Sequence, residues 1–407
     1  MSISIDAAEL HTGLSHVLKL TKTRTVKPIL NCVRMELTNE TLILEATDLE
    51  VTLRYFIKGV SGSVLNEDSV VQGSIVVNSQ KLHQIIKKLK KQKEILLWVT
   101  ENKLYIQKGT KTFYLLLDDP DEFPIIPIKA GKDFIEISEK NFVNRMNKTL
   151  FAVAKDMSCY SYNGLLLEIS PEKELVFVAT DGRRLAIFGD FQETKTSDTK
   201  SHIVPIKAVN LVLGMIKKPK DDSNLYIDYY KNPIQFALPG RFEVMVRVLE
   251  GNFPSFRDAI PDYNTKSLDL IIKRAEMLDA LDTCGLTAGH EVRSVNIRLT
   301  KDFKIVLSSD QEGIGGTSIK LPVSHGDVPA VRVTEVRDGV DVGVTKQDYF
   351  YEEELTINPD FLTDYLKVLD SEDVEFFIQD YTSVIRVESS SIKDDGSFYI
   401  VMPITSK

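Results

Sequence analysis

With 407 residues the chain holds material for two to four domains, since one domain usually takes roughly 100–200 residues. Apolar residues make up 43% and charged residues 27%, a globular balance that excludes wholesale disorder and collagen-like or coiled-coil repetition. The 50 Lys and Arg residues against 59 Asp and Glu leave −9 at pH 7, which taken alone argues against a polyanionic partner.

The opening Ser2-Ile3-Ser4-Ile5 alternates as a strand does and lacks the basic start and apolar run of an export signal. No window approaches the ~18 apolar residues of a membrane span, so no membrane partner is expected. Cys32, Cys159 and Cys284 stand far apart without a Cys-x-x-Cys pair. Neither a disulfide framework nor a zinc site is written there, and a reducing, cytoplasmic compartment fits.

Along the chain one pattern recurs three times. Ile5-Asp6-Ala7-Ala8-Glu9-Leu10, Ile137-Ser138-Glu139-Lys140-Asn141-Phe142 and Ile272-Lys273-Arg274-Ala275-Glu276-Met277 each end an alternating strand and open an amphipathic helix, at offsets of 132 and 135. Two strands with a polar turn between them follow each helix: 29–37 and 41–47, 162–169 and 174–180, 295–300 and 303–309. The pairs end on Thr47-Asp48, Thr180-Asp181 and Ser309-Asp310, which read as turns whose Asp accepts from nearby amides. A second helix is predicted near 79–91, 205–217 and 359–370, the last opened by Asn358-Pro359, a cap acceptor followed by proline. Closing strands end in 112–117, 241–248 and 397–402, and polar, Pro- and Gly-containing stretches at 125–131 and 260–265 read as linkers.

The order strand, helix, strands, helix, strands predicts an α+β protein of three similar domains, each with two helices packed on antiparallel sheets. Their expected bounds are 1–128, 129–263 and 264–407. The third is longer by a stretch at 324–354, where Asp338-Gly339 marks an inserted hairpin.

Net charge hides its distribution. The six predicted helical segments sum to +9 and the rest of the chain to −18. The segment 78–93 alone carries +6, whereas the two helical segments of the third repeat are acidic. With Leu82, Ile85, Ile86 and Leu89 turned to a sheet, Lys81, Gln84, Lys88 and Lys91 form the opposite face, suited to a polyanion and also to plain solubility. Lysine without Arg or Asn pairs implies phosphate contact without base reading. Trp98, inside the apolar run Ile95 to Val99, is expected in the core.

No motif for catalysis is present. The histidines show no ligand spacing, and the nucleophile elbow, phosphate loop and dinucleotide fingerprint are missing; Gly313-Ile314-Gly315-Gly316 reads as a loop. Neither a metal nor a cofactor is expected, and the chain is not read as an enzyme. An enzymatic alternative requires Asp48, Asp181 and a histidine to converge on one pocket.

At Ala179-Thr180-Asp181-Gly182-Arg183-Arg184-Leu185-Ala186 the sequence resembles the bacterial sliding clamps, the β subunits of DNA polymerase III. Further matching pieces are Ala46-Thr47-Asp48-Leu49-Glu50, Lys27-Pro28-Ile29-Leu30, Asp121-Glu122-Phe123-Pro124, Gly251-Asn252-Phe253-Pro254-Ser255-Phe256-Arg257 and Tyr399-Ile400-Val401-Met402-Pro403-Ile404. They span the chain in family order. The resemblance implies the DNA clamp fold, with two three-domain subunits joined head to tail in a six-domain ring around duplex DNA. It implies a processivity factor without chemistry of its own, in the cytoplasm and associated with the nucleoid. Its partners are a clamp loader, the replicative polymerase and other proteins bearing clamp-binding peptides.

Carried over residue by residue, the resemblance places Arg24, Lys155 and Lys207 toward DNA, to which the helix reading adds Lys22, Lys88, Lys91 and Lys148. It places the peptide cleft at Tyr162, Thr180, Gly182, Arg183, Leu185, Pro254, Ala259, Asn358, Phe361, Ser383, Ile400, Met402, Pro403 and Ile404, with Leu185, Pro254, Met402 and Ile404 as the apolar pockets. The subunit contact falls on Phe113 and Leu115 meeting Leu286, favoured by a basic first and an acidic third domain. Departures are Gly285 in place of a branched apolar residue, Asp258 in place of a basic one, and the ending Thr405-Ser406-Lys407. With the third-domain insertion, Gly285 and Asp258 suggest a second reading, a specialised paralogue that does not serve the main replicase.

Overall fold

Among the described residues helices form where the apolar spacing asks for them: α1 Ala7–Thr21, α2 Ser79–Leu89, α3 Glu139–Asn147, α4 Ile206–Met215, α5 Arg274–Cys284 and α6 Pro359–Val368. The computed structural model describes residues 2–21, 27–38, 40–62, 73–91, 93–126, 134–155, 160–170, 174–189, 199–229, 232–261, 267–289, 293–327, 331–337, 340–346, 351, 354–389 and 396–404. Side-chain caps start several of these helices. Asp6 Oδ1 accepts from the amides of Ala8 and Glu9 at 2.7 and 2.9 Å, Asn78 Oδ1 from Lys81 at 3.0 Å, and Asn358 Oδ1 from Asp360 at 2.9 Å. None of the helices among the described residues is long and apolar enough to cross a membrane.

The chain packs as two compact units, 1–143 with 204–248, and 144–203 with 249–407, so the middle repeat is shared between them. In the first unit a 13-stranded antiparallel sheet carries the helices on its buried face. Val51–Lys58 of the first repeat pairs there with Phe242–Val246 of the second, Leu53 opposite Val244. In the second unit a nine-stranded sheet makes the same kind of junction: Arg184–Phe188 of the second repeat pairs with Ser397–Val401 of the third, Ala186 opposite Tyr399. A four-stranded sheet in the same unit ends on Gly315–Pro322, whose outer edge is open among the described residues.

Among the described residues the last strand of the first repeat also has a largely unpaired side. Lys111–Asp118 pairs along its length with Lys103–Lys108, but its other side is covered only at Leu117 and Asp118. The expected hairpin in the insertion is present as Val331–Arg337 paired with Val340–Lys346, with Arg337 opposite Val340 around 338–339.

Four expectations are corrected. Thr47-Asp48 and Thr180-Asp181 are turns in which Asp Oδ1 accepts two amides, at 2.8–3.1 Å in the first and 3.0–3.1 Å in the second. Ser309-Asp310 is not such a turn: both residues lie inside the strand Lys304–Gln311. The Ser309 hydroxyl donates to the Cys284 carbonyl at 2.7 Å, and Asp310 rather than Ser309 holds the place of Thr47 in the register. The helical segment predicted over 139–155 is shorter: α3 stops at Asn147, and the Thr149 hydroxyl donates back to the Arg145 carbonyl at 2.8 Å. Gly315 and Gly316 open a strand rather than sit in a loop. Trp98 is half-buried rather than in the core, because strand alternation turns it away from buried Leu97.

Cys32 and Cys284 are buried free thiols, while Cys159 lies outside the described residues. Burial, with a 3.2 Å bond to Asp118 and the charge of that carboxylate, pushes the Cys32 pKa up to about 12. Neither described thiol is poised for reaction.

Candidate functional site

The residues assigned to a peptide cleft lie in the second unit, around the junction between the second and third repeats. Leu185 and Ile400 face each other across that junction. They share an apolar cluster with Leu166, Val178, Ile187, Phe256 and Phe398, against which Phe253, Ile260 and Val384 pack. Beyond the strand end, the Met402 amide donates to the Arg183 carbonyl at 2.9 Å and the Ile404 amide to the Thr356 carbonyl at 2.7 Å. These bonds hold Met402 with its side chain 48% exposed, and leave Pro403 and Ile404 half-buried.

The turn before Leu185 shapes one rim. The Thr180 hydroxyl donates to the Arg184 carbonyl at 2.7 Å and accepts from the Gly182 amide at 3.0 Å. Gly182 has φ +84°, a left-handed turn that favours glycine. The other rim is the start of α6. Asn358 caps it, and the Phe361 carbonyl accepts from the Tyr399 hydroxyl at 2.8 Å. Ser383 is tied down by Asp380, its hydroxyl donating at 2.6 Å. Pro254 lies on a bordering cleft of 540 Å³ lined also by Leu166, Ile203 and Phe253, while Ala259 is exposed. A salt bridge at 2.8 Å between buried Glu168 and Arg257 lines the same cleft.

Arg184 was not singled out in the sequence, yet it joins the two rims. Its guanidinium bonds Asp181 at 2.9 Å, Asp364 of α6 at 2.8 Å and the Phe151 carbonyl at 2.8 Å, and stacks over Phe361 at 4.6 Å. Burial opposes its charge, but Asp364, Tyr399 and Asp181 outweigh burial and hold its pKa above the ordinary value. The available signal was alternation: next to Leu185, whose side chain enters the cluster, Arg184 must point to the opposite, helix-covered face.

A basic helix layer lies in the first unit, where α1 touches both α2 and α4. On α2 the residues His83, Lys87 and Lys90 share the side toward α1, with the His83 ring stacked on His11 at 4.8 Å. Burial lowers the His11 pKa, and Lys90, Lys87 and Lys217 lower it further. Burial, then Lys19 and Lys217, bring His16 down to about 4. The His11 and His16 imidazoles are therefore largely neutral near pH 7, and lysines carry the charge. Lys19, Lys87, Lys90 and Lys217 come from three segments, which is why local spacing did not group them.

The positions expected to face DNA fare differently. Lys88, Lys91 and Lys155 are exposed. Lys207 is half-buried and ion-paired with Asp48. Lys148 is corrected: it is 2% exposed, 3.6 Å from Asp370 and over the Phe188 ring at 5.8 Å, so it has no surface to offer a phosphate. Lys22 and Arg24 lie outside the described residues, as do Thr405-Ser406-Lys407.

For the subunit contact, Phe113 and Leu115 are half-buried on the open-edged strand, and Leu286 is 80% exposed just after α5. Gly285 admits Arg293, which donates to the Gly285 carbonyl at 3.0 Å and grips Asp360 with bonds of 2.8 and 2.9 Å. A Cβ at Gly285 would meet that guanidinium at 2.8 Å.

The carboxylates of the enzymatic alternative are committed elsewhere. Asp48 serves its turn and Lys207 in the first unit, Asp181 its turn and Arg184 in the second. Among the described residues no group of His, Cys, Asp and Glu is arranged to hold a metal.

Residues 1–127 match the family model for the DNA polymerase III beta subunit, N-terminal domain, and residues 136–255 the model for its central domain. The chain belongs to the DNA polymerase III beta subunit family. Over 405 residues it is 25% identical to the beta sliding clamp of Pseudomonas aeruginosa, covering 99% of this chain and 100% of that one. Against the Staphylococcus aureus beta sliding clamp it is 27% identical over 408 residues, with 99% of each covered. Solved sliding clamps share the fold over the full length of both chains: that of Bacillus subtilis at TM-score 0.83 and 20% identity, and that of Pseudomonas aeruginosa bound to griselimycin at 0.82 and 24%. As a sliding clamp the chain belongs to a non-catalytic family.

Proposed function

We propose that this chain is a replicative processivity factor: a head-to-tail dimeric ring of six domains, three per subunit at 1–128, 129–263 and 264–407, that encircles duplex DNA. It tethers the polymerase and other partners through peptides docked at the Leu185–Met402 cleft. The observation that carries the ring is an internal rule. At both junctions within the chain, the last strand of one repeat pairs with the strand that follows the Thr-Asp turn of the repeat before it. Among the described residues two strands have no such mate, the last of the first repeat and the corresponding strand of the third, Gly315–Pro322. Two copies joined by the same rule use up both of these edges, and a closed assembly leaves neither of them exposed.

In such a ring the basic helix layer supplies the DNA-facing charge, with Lys88, Lys91, Lys155 and Lys207 joined by Lys19, Lys87, Lys90 and Lys217. A clamp loader opens the ring, and the acidic remainder of the chain confines the duplex to the hole. The cleft reading has its own test. Met402→Ala is expected to weaken a fluorescent peptide bearing the glutamine-leucine-phenylalanine pattern by about tenfold, the loss of one buried apolar anchor, with an unchanged melting temperature. Unchanged affinity would remove Met402 from the site.

A further inference from the structure

Three aromatic rings cross the outer face of the first-repeat sheet, away from the helices. Trp98 stacks on Tyr105 at 5.1 Å and 7° between planes, and Tyr105 meets Tyr114 at 6.1 Å. The ladder ends at the open edge, where Tyr114 is 60% exposed under Lys103 Nζ at 5.5 Å and Leu116 beside it is 66% exposed. At the other open edge, in the turn before Gly315–Pro322, Ile314 is 57% exposed between the carboxylates of Asp310 and Glu312 and the strand.

The two internal junctions fix how these edges meet. Phe113, Val244 and Tyr399 hold one position, each opposite the preceding strand's Ile106, Phe236 or Val387. Leu53, Ala186 and Thr317 hold another, opposite Ala46, Ala179 and Ser309. Within the chain these two positions face each other, Val244 on Leu53 and Tyr399 on Ala186. Three positions before Leu53, and three before Ala186, the junctions end on matching bonds: the Arg247 amide to the Glu50 carbonyl at 2.8 Å, and the Met402 amide to the Arg183 carbonyl at 2.9 Å.

We propose, resting on the ring reading above, that the contact between copies follows this register and has a second apolar layer on the outer face: Phe113 opposite Thr317, Tyr114 over Gly316, and Leu116 against Ile314 of the second copy. Glycine at 316 leaves room for the Tyr114 ring, and Lys103, paired with Leu116, brings a cation to the stretch that meets Gly316, whose own partner is Asp310. Directly opposed cross-strand pairs of this kind are the unit of sheet stabilisation.

The test is a register-specific crosslink in the full chain, read beside sedimentation. Leu116→Cys combined with Ile314→Cys is expected to give an oxidised, covalent dimer on a non-reducing gel, while Leu116→Cys alone does not. Trp98, the sole tryptophan, is expected to shift its emission on dilution with the same midpoint as dissociation. A crosslink from Leu116→Cys with Ser318→Cys instead overturns the register. A dimer with neither crosslink and with constant Trp98 emission overturns the second layer but leaves the ring standing. A monomer at all concentrations overturns both, and quenching of Trp98 by a single-stranded oligonucleotide with no effect of dilution assigns the ladder to nucleic acid instead.

Discussion

Arg184→Met is expected to lower the stability of the second unit by about 2–3 kcal/mol and to weaken peptide binding more than about tenfold. The guanidinium is almost fully buried and is shared by Asp181, Asp364 and the Phe151 carbonyl. Its loss leaves two carboxylates without their counter-charge; because Asp364 is 38% exposed at its side chain and water can reach it, the cost falls below that of a fully buried pair. The effect on binding follows from position. Asp181 builds the turn that carries Gly182 and Arg183, while Asp364 and Phe361 belong to the helix on the other rim. Without Arg184 the rims lose their common tie and the cleft its fixed width. Thermal unfolding and peptide anisotropy measure the two effects. Loss of stability with unchanged peptide affinity would restrict Arg184 to a structural role, and Arg184→Lys, which keeps the charge but not the fork, is expected to recover stability only in part.

Replacing Lys87, Lys90 and Lys217 together by glutamine is expected to flatten the salt dependence of duplex binding. Each lost phosphate contact removes roughly 0.9 from the slope of log K against log salt, so three contacts remove about 2.7. Their mutual proximity is visible in the histidines between them, whose proton affinity they lower. Because His16 titrates only near pH 4, the slope is expected to be the same at pH 7 and pH 8. Lys301→Gln, in an exposed turn of the second unit, serves as the control that leaves the slope alone. An unchanged slope in the triple variant would place the DNA-facing charge elsewhere.

Much of the fold was legible because helix and strand periods and caps are local properties. The start of α6 follows from Asn358-Pro359, and the inserted hairpin from Asp338-Gly339. What failed depends on register or on distant packing. Ser309-Asp310 looks like Thr47-Asp48, but a shift of one residue turns Ser309 toward α5. Lys148 follows a helix that stops early, so its stem is drawn beneath Phe188 and toward Asp370. Trp98 sits in an apolar run, yet the face it joins is decided by Tyr105 on the next strand. The cleft residues came from the resemblance, and Arg184 escaped because alternation gives only the face it joins, not the distant Asp364 and Phe151 carbonyl that hold it.

Topological linkage is the centre of the account, and retention on DNA measures it most directly. The protein, loaded by a clamp loader onto a nicked circular plasmid, is expected to stay with the DNA through gel filtration in high salt, where phosphate contacts are screened. Cutting the plasmid once is expected to release it by sliding off the ends. Equal loss from circular and linear DNA, or equal retention on both, would contradict a closed ring around the duplex.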